Sequence, residues 1–211
     1  MADKEILIFV EGPSNKVFLE AYLYFLEDIP IKNFKVKDVT GKDNLSKRLL
    51  EIEKYDKTLI IFDADKDYES NKKEILSKTQ QKITEEQIFL FPNNQDDGDL
   101  ETLLLEIAKH DEFLKCFEGY LECIKSKEHY KPIKNISKSK WYAYLEVFEL
   151  QNFFKDKRNK NDKKNEEKII IDDKGKIRKE YKEEYEKLKE VIDFNSNSLI
   201  PLKDFLGQFA K

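Results

Sequence analysis

Three acidic residues, Glu11, Asp63 and Asp65, carry the strongest chemical signal in the chain. Each follows a short apolar run: Glu11-Gly12-Pro13 ends EILIFV at residues 5–10, and Asp63-Ala64-Asp65 ends TLIIF at residues 58–62. Residues two apart on an extended chain leave the same face, so Asp63 and Asp65 are expected side by side. Two ionised carboxylates about 5 Å apart repel by roughly 3 kcal/mol at an effective dielectric near 20. A fold that gathers such groups needs a cation or a raised pKa to relieve them. Mg2+ suits the pattern, because it takes one or two carboxylates and keeps water for substrate phosphates. Read alone, an Asp-x-Asp after a strand is an ordinary polar turn. It gains weight because a separate strand ends in Glu11.

These acids act together only if the strands that carry them are neighbours. Residues 5–10 and 58–62 read as buried strands, as do Ile88 to Phe91, which are stopped by Pro92. Residues 34–39 alternate apolar and polar, the pattern of a strand half open to water. Between them, Val17, Phe18, Ala21, Tyr22, Phe25 and Leu26 recur at helical spacing, with Ser14 as the expected cap. Residues 43–54 and 68–81 also read as helices. Asp99 caps a further helix that carries Leu100, Leu103, Leu104 and Ile107. This β-α alternation predicts an open, mostly parallel α/β sheet flanked by helices over residues 1–108. Ligands in such sheets bind outside the carboxyl ends of the strands, where Glu11, Asp63 and Asp65 lie.

After residue 108 the strand signal stops. Helices are expected at 111–125, 139–154 and 179–193, with a short amphipathic helix after Pro201. Residues 155–164 read as a polar linker and 169–178 as a small hairpin or loop. Residues 109–211 are therefore expected to form a helical extension packed on the α/β core. Cys116 and Cys123 fall about 10 Å apart along one helix, too far for a disulfide, and read as packing residues in a reducing, cytoplasmic setting.

Composition narrows the function. The chain has 211 residues, of which 39% are charged, and a net charge of −4. That excludes a strongly basic nucleic-acid coat but not an acidic-site nuclease. Only Arg48, Arg158 and Arg178 are arginines, so bidentate reading of guanine is poorly supplied. The 26 aromatics argue against disorder. No apolar run approaches the length of a membrane span, and the N-terminus does not read as a signal peptide, so no membrane partner is expected. The glycines form neither a phosphate loop nor a dinucleotide fingerprint, and the two histidines lack zinc spacing.

Glu11-Gly12 after one strand and Asp63-Ala64-Asp65 after another resemble the Toprim signature. That fold occurs in topoisomerases, bacterial primases, small ribosomal-RNA maturases and overcoming-lysogenization-defect (OLD) nucleases. Phe91-Pro92-Asn93-Asn94, the run Gly98 to Leu104 and the segments Val191 to Asn195 and Leu202 to Leu206 resemble a small Toprim-only bacterial family related to the OLD-type nucleases. The resemblance implies a Toprim-like sheet and Mg2+- or Mn2+-dependent phosphodiester chemistry on DNA or RNA, with cleavage leading. It makes Glu11 a metal ligand or general acid/base, and Asp63 and Asp65 metal ligands. Glu101 stands where OLD-type sites add an acid for a second metal, and Asp67 extends the acidic cluster. Asn15 stands where many relatives carry another acid, which takes a charge from that second metal. Primase-like nucleotidyl transfer and a non-catalytic nucleic-acid-binding module remain as alternatives. An OLD-type nuclease works beside an ATPase, so a partner protein of that kind is also implied.

Lysines supply the complementary charge. Residues 125–140 hold six of them, including Lys131, Lys134, Lys138 and Lys140, against one acid, and Arg158 lies in a second basic run at 155–164. Lysine grips phosphate as a point charge with little sequence preference. Tyr130, Trp141 and Tyr142 lie in or beside the first run, where they could stack on unpaired bases. The alternative is a solvated surface with the aromatics in the core. If these segments hold a nucleic-acid backbone, log affinity falls against log salt with a slope of about −0.7 to −0.9 per phosphate held. Fluorescence anisotropy of a labelled oligonucleotide reads this slope, and a flat response removes the segments from the interface.

Overall fold

The structure is a computed structural model that describes residues 6–26, 31, 34–154 and 182–209. Four short strands form it: β1 (Ile6–Val10), β2 (Phe34–Asp38), β3 (Lys57–Asp63) and β4 (Ile88–Phe91). All pair in parallel in the order β2-β1-β3-β4. The expected parallel α/β sheet is therefore present. The chain runs outward from β1 to β2, then returns across β1 to build β3 and β4 on the other side. The order thus reverses between β1 and β3, the kind of switch point outside whose strand ends ligands bind in open α/β sheets.

Alternation along the strands divides the core in two. Ile6, Ile8 and Val10 of β1, Leu59 and Ile61 of β3, and Phe89 and Phe91 of β4 face one layer. That layer contains α1 (Pro13–Phe25), α4 (Leu100–Glu106), α6 (Ile136–Val147), α7 (Lys182–Val191) and α8 (Ile200–Gly207). Leu7, Phe9, Ile60, Phe62 and Leu90 face the other, where Leu45, Ile52 and Ile75 cover them. Ile75 belongs to α3 (Tyr68–Lys78). The segment after residue 108 shares the first core: Tyr144 donates to Val191 O at 2.7 Å, and Asp193 N donates to Ile107 O at 2.8 Å.

Several local expectations need correction. Residues 43–54 are mainly a 3-10 turn, Lys42–Arg48, followed by the single-turn α2 (Leu49–Ile52). Ser14 does not cap α1; Gly12 does, with Pro13 in the first turn. The Ser14 hydroxyl instead bonds Tyr142 Oη at 3.1 Å and Phe154 O at 3.3 Å. The helix expected to reach residue 154 ends at Val147, because Glu149 turns to a φ of 59°. α5 (Asp111–Lys125) holds both cysteines on its open side, so they are exposed and are not packing residues. The linker and hairpin expected between 155 and 178 lie outside the described residues, as does Arg158. Among the described residues no helix is long and apolar enough to cross a membrane.

The loop after β4 locks onto the end of β3. Asp65 N donates to Gly98 O at 2.6 Å, and Gly98 N returns a bond to Asp65 O at 2.7 Å. Gly98 has a φ of 145°, and a Cβ there would meet Pro92 Cδ at 3.0 Å. A Gly98→Ala substitution is therefore expected to cost about 1–3 kcal/mol, which urea denaturation measures. Wild-type stability in that variant would mean that this clamp does not hold the loop.

Candidate functional site

The carboxyl edge of the sheet collects the acids. Glu11 follows β1 directly, Asp63 is the last residue of β3, and Glu101 lies in the first turn of α4. β1 and β3 pair with Val10 opposite Ile61. This register sets Glu11 near the end of β3, and Asp63 N donates to Glu11 Oε2 at 3.4 Å. Asp63 shares the strand face of Leu59 and Ile61, which looks toward α1 and α4. Its Oδ1 accepts from Asn15 Nδ2 of α1 at 3.1 Å and from Leu100 N of α4 at 3.0 Å. Asn15 and Glu101 are both buried.

Burial dominates the electrostatics. The Asp63 carboxyl is pushed well above the usual carboxylate range, first by burial and then by the charges of Glu11 and Glu101. Glu11 is raised chiefly by burial, against the pull of Lys42 and of its bond to Asp63 N. Glu101 is raised by burial and by Asp99, while Lys138 of α6 lowers it. Three carboxylates from three elements thus share one low-dielectric region, and Lys138, expected as a phosphate contact, reaches its edge.

Asp65 behaves differently from the expectation of a shared face. Its φ is 55°, a left-handed turn that breaks the alternation after Asp63. Its side chain is half exposed, and Oδ2 meets Lys42 Nζ at 2.5 Å. Lys42 also reaches Asn71 Oδ1 of α3 at 2.5 Å, and the Asn71 amide in turn donates to Ala64 O. Asp67 does not join the cluster; it caps α3 by accepting from Ser70 N at 2.9 Å. Among the described residues, no three acidic, histidine or cysteine side chains are close enough to hold an ion as they stand. Asp65 is turned to Lys42, and Asp63 Oδ1 is engaged by two donors.

The basic candidates separate. Lys131, Lys134 and Lys138 are exposed, whereas Lys140 is tied to Glu118 of α5 at 2.7 Å. Trp141, expected as a stacking platform, is buried in the core. Tyr142 bonds Ser14, and Tyr130 is exposed. Lys42 and Asn71 were missed by the sequence reading. The available signal was positional: Gly41-Lys42 follows β2 as Glu11-Gly12 follows β1.

A pH effect follows from the raised acids. Their folded pKa values lie above the unfolded ones, so the folded chain holds protons that the unfolded chain releases. Stability of the metal-free protein therefore falls as pH rises from about 4 through the raised values. Asp63→Asn keeps an oxygen for Asn15 Nδ2 and Leu100 N but removes the charge. It should raise the Tm at about pH 8 by a few degrees, and the gain should vanish toward about pH 4. A gain independent of pH would show that Asp63 is ionised at no cost.

A protein-family model described as "Protein of unknown function (DUF3226)" matches residues 5–210. No curated protein and no solved structure matches the chain. The matched span runs from β1 through α8 and includes every acid and lysine of the site. The chain belongs to the DUF3226 family.

Proposed function

We propose that the protein carries out Mg2+- or Mn2+-dependent phosphodiester cleavage on nucleic acid from a Toprim-like site. The single observation behind this reading is the gathering of Glu11, Asp63 and the buried Glu101, each partly or wholly withdrawn from water, at the point where strand order reverses, with Asp65 on the rim. Buried like charges are costly unless neutralised or protonated, and an oxygen-only donor set suits a hard divalent cation. The residues fit such an ion in type. Asp65 would join them only by turning its side chain from Lys42 toward Glu11, whose carboxyl already feels its charge.

In this reading Asp63 and Asp65 hold the ion, and Glu101 adds an acid on the α4 side. A bound divalent ion would polarise a phosphoryl oxygen and ease deprotonation of water. Glu11 takes the proton from the attacking water, a role suited to a carboxyl whose basicity is raised by burial. Lys131, Lys134 and Lys138 hold the backbone that approaches past α6. A non-catalytic nucleic-acid-binding module is the second reading, favoured by Asn15, whose neutral amide already occupies Asp63 Oδ1.

Calorimetric titration with Mn2+ tests the proposal. Asp63→Asn should weaken Mn2+ binding by more than the roughly 10–100-fold typical of losing an outer-sphere partner. It should abolish cleavage of labelled DNA or RNA while leaving the circular dichroism spectrum intact. Equal Mn2+ binding by both proteins would overturn the metal-site reading. Metal binding without turnover on any single- or double-stranded substrate would favour the binding module.

A further inference from the structure

Lys42 occupies the one acid that the cluster leaves on its rim. Its Nζ lies 2.5 Å from Asp65 Oδ2 and 2.5 Å from Asn71 Oδ1, and its side chain is only 14% exposed. The backbone presents it deliberately. Val39 N donates to Val10 O at 3.0 Å and Gly41 N to Glu11 O at 2.9 Å, which fold the end of β2 over the end of β1. Thr40 and Gly41 make this turn at φ values of 60° and 97°. Lys78 of α3 bonds Asp43 at 2.7 Å and fixes the start of the 3-10 turn from the other side.

The two partners of Lys42 are not equivalent. Asn71 sits within α3, with its amide anchored on Ala64 O and its backbone N–H on Asp67 O at 3.0 Å. Asp65 is on the rim, and its side chain can turn without moving the backbone bridge to Gly98. When Asp65 turns inward, Lys42 keeps its Asn71 contact and its attraction to Glu11 but loses its direct ion pair. A largely enclosed ammonium that loses its direct ion pair favours a new anionic partner, and the chemistry that a metal-bound substrate offers there is a phosphate oxygen.

We propose that Lys42 is an exchangeable counter-cation, paired with Asp65 before the divalent ion binds and with a substrate phosphate oxygen afterwards. This rests on the metal-site reading above and adds a coupling to it: metal and phosphate backbone bind cooperatively through one lysine. Lys42 is a substrate-positioning residue in this scheme and takes no part in proton transfer.

The experiment pairs Mn2+ calorimetry with oligonucleotide anisotropy in Ca2+ on wild type, Lys42→Met and Lys42→Arg. In wild type, Ca2+ should raise oligonucleotide affinity. Lys42→Met removes the competitor for Asp65, so Mn2+ binding should tighten roughly tenfold, while oligonucleotide affinity in Ca2+ should fall by a similar factor. Lys42→Arg retains the charge and should stay within about threefold of wild type in both assays. If Lys42→Met leaves either quantity unchanged while Asp63→Asn still destroys Mn2+ binding, the exchange is wrong and the metal site stands. Weaker Mn2+ binding in Lys42→Met also overturns it, provided a cooperative thermal melt shows that the variant is folded. If Lys42→Met does not fold, Lys42→Gln carries the same readings: tighter Mn2+ binding with weaker oligonucleotide affinity supports the exchange, and either quantity unchanged overturns it. Equal Mn2+ binding by wild type and Asp63→Asn would instead remove the metal site itself.

Discussion

The arrangement turns on one costly burial. Asp63 sits at the end of a central strand with its carboxyl enclosed, and Glu11 and Glu101 add their charges to the same region. An ionised carboxylate survives there only with donors or cations around it. The fold supplies two donors, Asn15 Nδ2 and Leu100 N. It supplies no cation directly to Asp63 among the hydrogen bonds and ion pairs described. Lys42 compensates at one remove, through Asp65 and Glu11. The site is thus under-neutralised at its centre and paired at its rim, the charge pattern expected where a hard divalent ion or a proton completes the balance.

The sheet order explains why these groups meet. β1 and β3 are adjacent, but the chain visits β2 between them on the far side of β1. The connections therefore diverge above β1 and β3, and α1 and α4 both reach Asp63 from their own sides of that edge. α1 leaves β1 toward one layer and contributes Asn15, while α4 enters after β4 and donates its Leu100 N–H to Asp63. The loop after β2 folds back over Glu11 and carries Lys42. Every strand of the sheet delivers one element to the same edge, and the loops after β2 and β4 are fixed there by backbone bonds to Val10, Glu11 and Asp65.

Much of this was legible in the residues. The strands EILIFV, TLIIF and IFLF are apolar throughout because both faces of a parallel strand are buried, and they were recognisable for that reason. The acids at their ends stood out as polar groups abutting buried runs. Other features were hidden because they depend on distant partners. Ser14 was chemically a good cap, yet Tyr142 and Phe154 claimed its hydroxyl from far along the chain. Trp141 lay in a lysine-rich segment but faces Tyr144 and Phe154 in the core. Cys116 and Cys123 had the composition of core residues, but α5 presents that side to solvent.

The local pattern of apolar runs, turn residues and charge by itself determined the strand positions, the parallel α/β class and the identity of the acids, because those follow from short-range periodicity and burial. Only the tertiary structure decided that Asp63 points inward while Asp65 turns away. A single left-handed residue, pinned by its two-way bridge to Gly98, overrides the period-two rule there. The tertiary structure alone also brought Lys42 to both Asp65 and Asn71, since contacts between residues 23 and 29 positions apart depend on the register of strands and the seating of α3, which no local pattern encodes.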